Sequence, residues 1–210
     1  MPYSCLIFDL DGTLSDPKEG ICKSLRYSLE QHGYPSPSNE VLSTYIGPPL
    51  DATFAALTAS QEPALIKALV EKYRERYATQ GYAENVLYEG IVEALDNFAK
   101  ANIRLGICTS KRTDFAEQIL KLFSIRHYFS FVNGGDIGVE KSQQLRSLLD
   151  AGLIDSDAIM IGDRDVDIVA AHNNNLASAA VLWGYGSQTE LEGASPRFVF
   201  AKPSELSLLL

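Results

Sequence analysis

Asp9 and Asp11 stand two residues apart, directly after the apolar run Cys5-Leu6-Ile7-Phe8. The same grammar recurs twice: Ile103 to Cys108 runs into Thr109 and Ser110, and Ala158 to Ile161 runs into Gly162, Asp163 and then Asp167. On a continuing strand, residues two apart project to one side, so Asp9 and Asp11 would present two carboxylates to whatever is bound there. Bringing Asp163 and Asp167 beside them concentrates four formal negative charges, an arrangement that requires a cation. All-oxygen donors with no His or Cys close by in sequence favour a hard ion that retains water, and Mg2+ over zinc. Taken singly, acids after strands are often helix caps or solvated loop residues. Three polar strand ends in one chain point instead to a shared site.

Such groups meet only if their strands lie side by side. From about residue 86 onward, short apolar runs alternate with helical patterns such as Phe115/Ile119/Leu122, Leu145/Leu148/Leu149 and Ile168/Val169/His172. That alternation predicts an α/β fold, a doubly wound parallel (Rossmann-like) sheet with helices on both faces and its reactive groups at the carboxyl ends of the strands. Residues 16–85 read differently, with apolar positions at helical spacing and no convincing strand. The expected division is a core of 1–15 and 86–210 and a small helical domain, 16–85, inserted after the first strand. Its first helix has a legible start: Asp16 as N-cap, Pro17 at the first helical position and Glu19 completing a capping box, with Ile21, Leu25 and Leu29 on one face as far as Gly33. Pro35-Ser36-Pro37 and Gly47-Pro48-Pro49 separate short elements, and Pro63 opens a helix carrying Leu65, Leu69 and Tyr73.

The 210 residues, 46% apolar and 21% charged, suffice for one core with a small appendage. A net charge of −9 disfavours a nucleic-acid or anionic-lipid surface, so no nucleic-acid partner and no membrane partner is expected. No apolar run approaches the ~18 residues that span a bilayer. The segment Met1 to Asp9 lacks the basic leader and apolar stretch of a signal peptide. Cys5, Cys22 and Cys108 show no metal or redox spacing and read as inert thiols in a reducing compartment, so a cytoplasmic location is expected.

The segment Asp9-Leu10-Asp11-Gly12-Thr13-Leu14 resembles the opening motif of the haloacid dehalogenase-like phosphohydrolases. Ile107-Cys108-Thr109-Ser110-Lys111 resembles the second motif of that superfamily, and Ile161-Gly162-Asp163-Arg164-Asp165-Val166-Asp167 the fourth. Asp16-Pro17, Gly47-Pro48-Pro49-Leu50 and Trp183-Gly184-Tyr185-Gly186-Ser187 further resemble the phosphoglycolate phosphatase-like branch with a helical cap. The resemblance implies a Mg2+-dependent phosphatase acting on a small-molecule phosphate ester. It implies Asp9 as nucleophile forming an aspartyl-phosphate, and Asp11 as general acid and then base, its carbonyl on the metal. Thr109 and the amides of Leu10 and Ser110 would hold phosphoryl oxygens. Asp9 and Asp163 would be carboxylate metal ligands, with Asp167 ligating directly or through water.

Phosphoryl transfer beside an anionic nucleophile also needs a positive side chain. Between Arg112 and Ala201 the lysines are Lys121, inside a helix pattern, and Lys141, at a helix start, so Lys141 is the candidate. It departs from the family's usual pattern, in which proline often follows this lysine; here Ser142 does. Gly134-Gly135-Asp136-Ile137-Gly138 is no phosphate-binding P-loop, because Glu140 stands where a glycine must precede the lysine. Pro48, in a stiff turn, is a candidate substrate contact, and Lys23, Arg26 and Arg74 are candidates for reading an anionic leaving group. Lys111 and Arg112 read equally as substrate contacts or exposed helix-start residues, and Arg164 as a charge offset or a solvated loop residue. His32, His127 and His172 read as structural, and Trp183 with Tyr185 as packing near the last strand. A phosphomutase shares the acid pair, and a noncatalytic phosphate-binding or receiver-like signalling protein is the reading from another class. A dehalogenase is disfavoured because its chemistry needs no second acid. Oligomeric state stays open, with a monomer favoured.

Overall fold

The computed structural model describes residues 3–136 and 138–210. Met1 and Pro2 of the leader reading and Ile137 of the rejected P-loop pattern lie outside the described residues. The chain opens with β1 (Cys5–Phe8) and a short β2 (Ser15–Asp16). Four helices follow, α1 (Lys18–Gln31), α2 (Asn39–Ser43), α3 (Leu50–Thr58) and α4 (Pro63–Thr79). Next come β3 (Val86–Leu87), α5 (Ile91–Lys100), β4 (Arg104–Thr109), α6 (Thr113–Leu122) and β5 (Phe129–Gly134). The chain finishes through α7 (Lys141–Asp150), β6 (Ile159–Gly162), α8 (Asp165–Asn173), β7 (Ala177–Val181), α9 (Gln188–Gly193) and β8 (Phe198–Phe200). It separates into two compact units, Met1–Asp16 with Leu87–Leu210, and Pro17–Val86.

In the first unit six strands form one sheet in the order β5-β4-β1-β6-β7-β8, every neighbouring pair parallel. Ile7 lies opposite Gly106 on one side and Met160 on the other, so β1 occupies the interior of the sheet although it comes first in the chain. Strands covered on both faces are apolar throughout rather than alternating, and Cys5, Leu6, Ile7 and Phe8 are all at most 1% exposed. Cys5 and Ile7 pack with Leu145 and Leu148 of α7 and with Ala170 and Ala171 of α8. Phe8 meets Phe98 of α5 at 6.3 Å between ring centroids, so helices cover both faces. A side chain at Gly106 would enter the Phe131 ring, with its Cβ 2.1 Å from Cζ.

The second unit is helical. The Ser28 hydroxyl of α1 donates to the Leu69 carbonyl of α4 at 2.7 Å, and Tyr73 and Tyr77 stack at 5.4 Å. Glu84 collects Arg76 at 2.8 Å and Lys23 at 3.0 Å, while Arg26 donates to Ser36 and Asn39. Lys23 and Arg26 are thus engaged inside this unit. The capping box expected at Asp16 is not formed. The N-cap position is Pro17, without a side-chain hydrogen bond, and Glu19 pairs with Lys23 at 2.5 Å. The Asp16 carboxylate accepts a hydrogen bond from the Tyr185 hydroxyl, a partner far away in sequence.

Candidate active site

Because β4, β1 and β6 are neighbours, their carboxyl ends bring Thr109, Asp9 and Asp163 together, although these residues are far apart in the chain. Ladder pairing continues one residue past β1, with the Asp9 amide donating to the Ile161 carbonyl at 2.9 Å. The chain then turns tightly. The Leu10 carbonyl accepts from Leu14 at 3.0 Å, and the Gly12 amide donates to the Ser15 carbonyl at 2.8 Å. Gly12 has φ +81°, and a Cβ there would fall 2.1 Å from Asp163 Oδ2, so both backbone conformation and close approach demand glycine.

Asp9, Asp163 and Asp167 each place one carboxylate oxygen within 4.8 Å of the others, and all three residues are buried. Lys141, the first residue of α7, reaches Asp9 Oδ2 at 3.2 Å and also binds Asp167. Its side chain is 4% exposed, so the candidate found by elimination is a buried cation on the acid cluster. Thr13 donates to Asp163 Oδ1 at 3.2 Å and the Tyr185 amide to Oδ2 at 2.8 Å. The Arg164 amide donates to Asp167 at 3.0 Å, while the Arg164 side chain pairs with Glu190 at 2.7 Å. Thr109 is buried and accepts at its hydroxyl from the Lys111 amide at 3.3 Å, and its carbonyl accepts from Gln144 at 3.0 Å. Ser110 is half-buried in the loop that follows.

Asp11 does not join the three-carboxylate cluster. Its carboxylate pairs with Lys111 at 2.8 Å, both side chains being largely buried. The exposed helix-start alternative for Lys111 is thereby excluded. Pro48 is an exposed residue of the helical unit, next to the start of α3. The distant pairings Lys111 with Asp11 and Tyr185 with Asp16, like the buried Gln144, carry no local sequence signal.

Electrostatics here are dominated by burial. It pushes Asp163 up to about 8, with the charges of Asp167 and Asp9 adding to the effect and the Tyr185 amide and Lys141 opposing it. Asp167 is also raised by burial, against the pull of Lys141. Burial raises Asp11 too, with Lys111 opposing. For Lys141 burial acts against the charged form, but Asp167 and Asp9 outweigh it and the ammonium is held protonated. Three carboxylates therefore face one ammonium, and Asp9 Oδ1 is buried without a hydrogen-bond partner. An orphaned carboxylate oxygen inside an all-oxygen, net negative cluster suits a hard divalent cation.

Residues 6–181 match the haloacid dehalogenase-like hydrolase family. The chain belongs to that family. This haloacid dehalogenase-like hydrolase is 35% identical to a 5'-nucleotidase of Pseudomonas aeruginosa, over 99% of this chain and 96% of the relative. It is 32% identical to the tyrosine-protein kinase PtkA of Mycobacterium tuberculosis, over 92% of this chain and 67% of the kinase. A phosphoglycolate phosphatase of Vibrio parahaemolyticus is 30% identical over 96% of this chain and 93% of its own. Among solved structures, one named a predicted phosphatase, from Clostridium acetobutylicum, superposes with a TM-score of 0.93 at 34% identity, covering 100% of both chains. By class this haloacid dehalogenase-like hydrolase is a phosphoric monoester hydrolase.

Proposed function

We propose that the protein hydrolyses small phosphomonoester metabolites in a Mg2+-dependent reaction that passes through a phosphorylated Asp9. The observation that carries this reading is the unpartnered Oδ1 of Asp9, buried beside Asp163, Asp167 and Lys141 at the carboxyl end of the interior strand. Asp9 has two carboxylate oxygens, Oδ1 without a hydrogen bond and Oδ2 on Lys141, so one can attack phosphorus while the other ligates the cation.

In the first half of the reaction a carboxylate oxygen of Asp9 bonds to phosphorus, the ester P–O bond breaks, and Asp11 gives its proton to the departing alkoxide. In the second half Asp11 takes a proton from the attacking water, whose oxygen bonds to phosphorus as the Asp9 acyl-phosphate P–O bond breaks, releasing phosphate. Thr109 and the backbone amides of Leu10 and Ser110 hold the non-bridging phosphoryl oxygens, and Lys141 offsets charge on the transferring group. Asp9, Asp163, Asp167 and the Asp11 carbonyl would hold Mg2+, which when bound neutralises charge on the acids and on the phosphoryl oxygens. We read residues 16–85 as a cap that excludes water from the leaving group, with Pro48 as a substrate contact. Among the described residues no helix is long and apolar enough to cross a membrane. Cys5, Cys22 and Cys108 are buried thiols, as suits a reducing compartment such as the cytoplasm.

The names of the relatives set the first substrates to try, nucleoside 5'-monophosphates and phosphoglycolate. Inorganic phosphate released from a panel of phosphomonoesters, dependent on Mg2+ and abolished by Asp9→Asn, is the expected result. No release from any member of a broad panel would overturn the reading. Phosphate reappearing on an isomerised sugar or on a tyrosyl peptide, in place of free phosphate, would identify a transferase instead.

A further inference from the structure

The segment Trp183 to Gly186 binds to two parts of the site at once. Tyr185 donates its amide to Asp163 Oδ2 at 2.8 Å, and the Gly186 amide donates to the Asp163 carbonyl at 3.0 Å. The Trp183 indole donates to the Thr13 carbonyl at 2.9 Å, in the middle of the turn that carries Asp11, and the Tyr185 hydroxyl donates to Asp16 at the end of that turn. The packing leaves no slack, since a Cβ on Gly184 would fall 2.3 Å from Asp163 Cβ and 2.4 Å from the Gly12 carbonyl. Asp16 follows Ser15, whose carbonyl receives the Gly12 amide, and Ser15 also bridges Asp11. Fixing Asp16 therefore fixes the backbone on which the Asp11 carboxylate sits.

We infer that Tyr185 is a positioning residue for Asp11, acting through its hydrogen bond to Asp16. Neither Tyr185 nor Asp16 has a reactive role in the steps above, and the inference rests on the phosphatase reading with Asp11 as general acid. The Tyr185 amide remains on Asp163 whatever its side chain, so loss of the hydroxyl disturbs the Asp11 side of the bracket and spares the acid cluster. An alkyl phosphate needs a proton delivered to its leaving oxygen, whereas p-nitrophenolate departs without one.

The test is kcat on ethyl phosphate and on p-nitrophenyl phosphate for Tyr185→Phe, Asp16→Ala, the double variant and Asp16→Asn, with melting curves run with and without Mg2+. Tyr185→Phe and Asp16→Ala should each lose about tenfold or more on ethyl phosphate and less than about threefold on p-nitrophenyl phosphate. The double variant should be no worse than Asp16→Ala alone, because both substitutions remove the bond between Tyr185 and Asp16. Asp16→Asn keeps an acceptor oxygen and should recover most of the loss, and the Mg2+-induced rise in melting temperature should match wild type throughout. Equal losses on both substrates, additive losses, or no loss would overturn the positioning role. Should Tyr185→Phe fail to fold, the contrast between Asp16→Ala and Asp16→Asn decides the matter in the same way. A wild-type protein inactive on both esters and on the wider panel would defeat the phosphatase reading itself, a distinguishable outcome.

Discussion

Replacing Asp163 by Asn should stabilise the metal-free protein while destroying its response to Mg2+. Asp163 is fully buried, and its pKa stands at about 8 in the folded chain against 3.8 ordinarily, raised by burial and by Asp167 and Asp9. A carboxyl with a raised folded pKa contributes its full stability below about 3.8 and loses it progressively as pH rises to about 8. At pH 7 the interval above 3.8, at about 1.36 kcal/mol per pH unit, sets a ceiling of roughly 4 kcal/mol on the loss. Asn removes the charge and keeps the local bonds. Its carbonyl accepts from the Tyr185 amide, and its NH2 donates to the Thr13 hydroxyl, which reverses roles. If half the ceiling is realised, at about 2–4 °C per kcal/mol for a chain of this size, Asp163→Asn raises the metal-free melting temperature at pH 7 by about 4–8 °C. The assay is thermal unfolding in EDTA from pH 5 to 8, repeated in excess Mg2+. Wild type should melt lower as pH rises, recover with Mg2+ by up to about 2.7 kcal/mol at a hundredfold excess over Kd, and lose more to EDTA at pH 8 than at pH 5. The variant should show a shallower pH slope and little Mg2+ response. A variant that melts below wild type throughout in EDTA, or still gains as much from Mg2+, would refute the reasoning.

Lys141→Met leaves the Asp9 and Asp167 carboxylates without their buried ammonium, so metal-free stability should fall by about 3–5 kcal/mol in denaturant titration. Its kcat should fall by at least about a hundredfold. Gly184→Ala drives a methyl into Asp163 Cβ and the Gly12 carbonyl, neither of which can swing aside. It should cost about 1–3 kcal/mol and weaken Mg2+ binding, as read by calorimetry. Burial pushes the Cys5 thiol up to about 11 and the Cys108 thiol up to about 12. An aromatic disulfide reagent at pH 8 should therefore leave both unlabelled in the native protein and label all three cysteines once it is denatured.

Much of this molecule is readable in one dimension. The apolar runs before Asp9, Thr109 and Asp163 are strands buried on both faces, so hydrophobicity alone marks β1, β4 and β6 and the carboxyl ends that carry the polar groups. Lys141 emerged by elimination, because a lysine at a helix start differs from one inside a helix. The outer strands are less visible: β7 is Ala-Ser-Ala-Ala-Val, too short in side chain to announce itself, and β5 carries polar residues at a sheet edge. Asp16 illustrates the converse error. Asp-Pro-Lys-Glu satisfies every local rule for a helix start, but the cap position falls on Pro17, and the Asp16 carboxylate accepts a bond from a tyrosine 169 residues away. Lys111 and Asp11, 100 residues apart, meet only because β1 and β4 are neighbours. Nothing within a window of ordinary helix or strand length reports either contact.

The position of β1 has a consequence for biogenesis. Ile7 is synthesised well before its two lateral partners, Gly106 and Met160, which follow it by most of the length of the core. Until β6 has left the ribosome, this segment keeps an open hydrogen-bonding edge on a wholly greasy tetrapeptide, a template for improper association. Pairings between such distant segments also fold slowly. Nascent chains stalled before residue 159 should consequently be inert and adhesive, and the appearance of turnover during translation would time the closing of the sheet around its first strand.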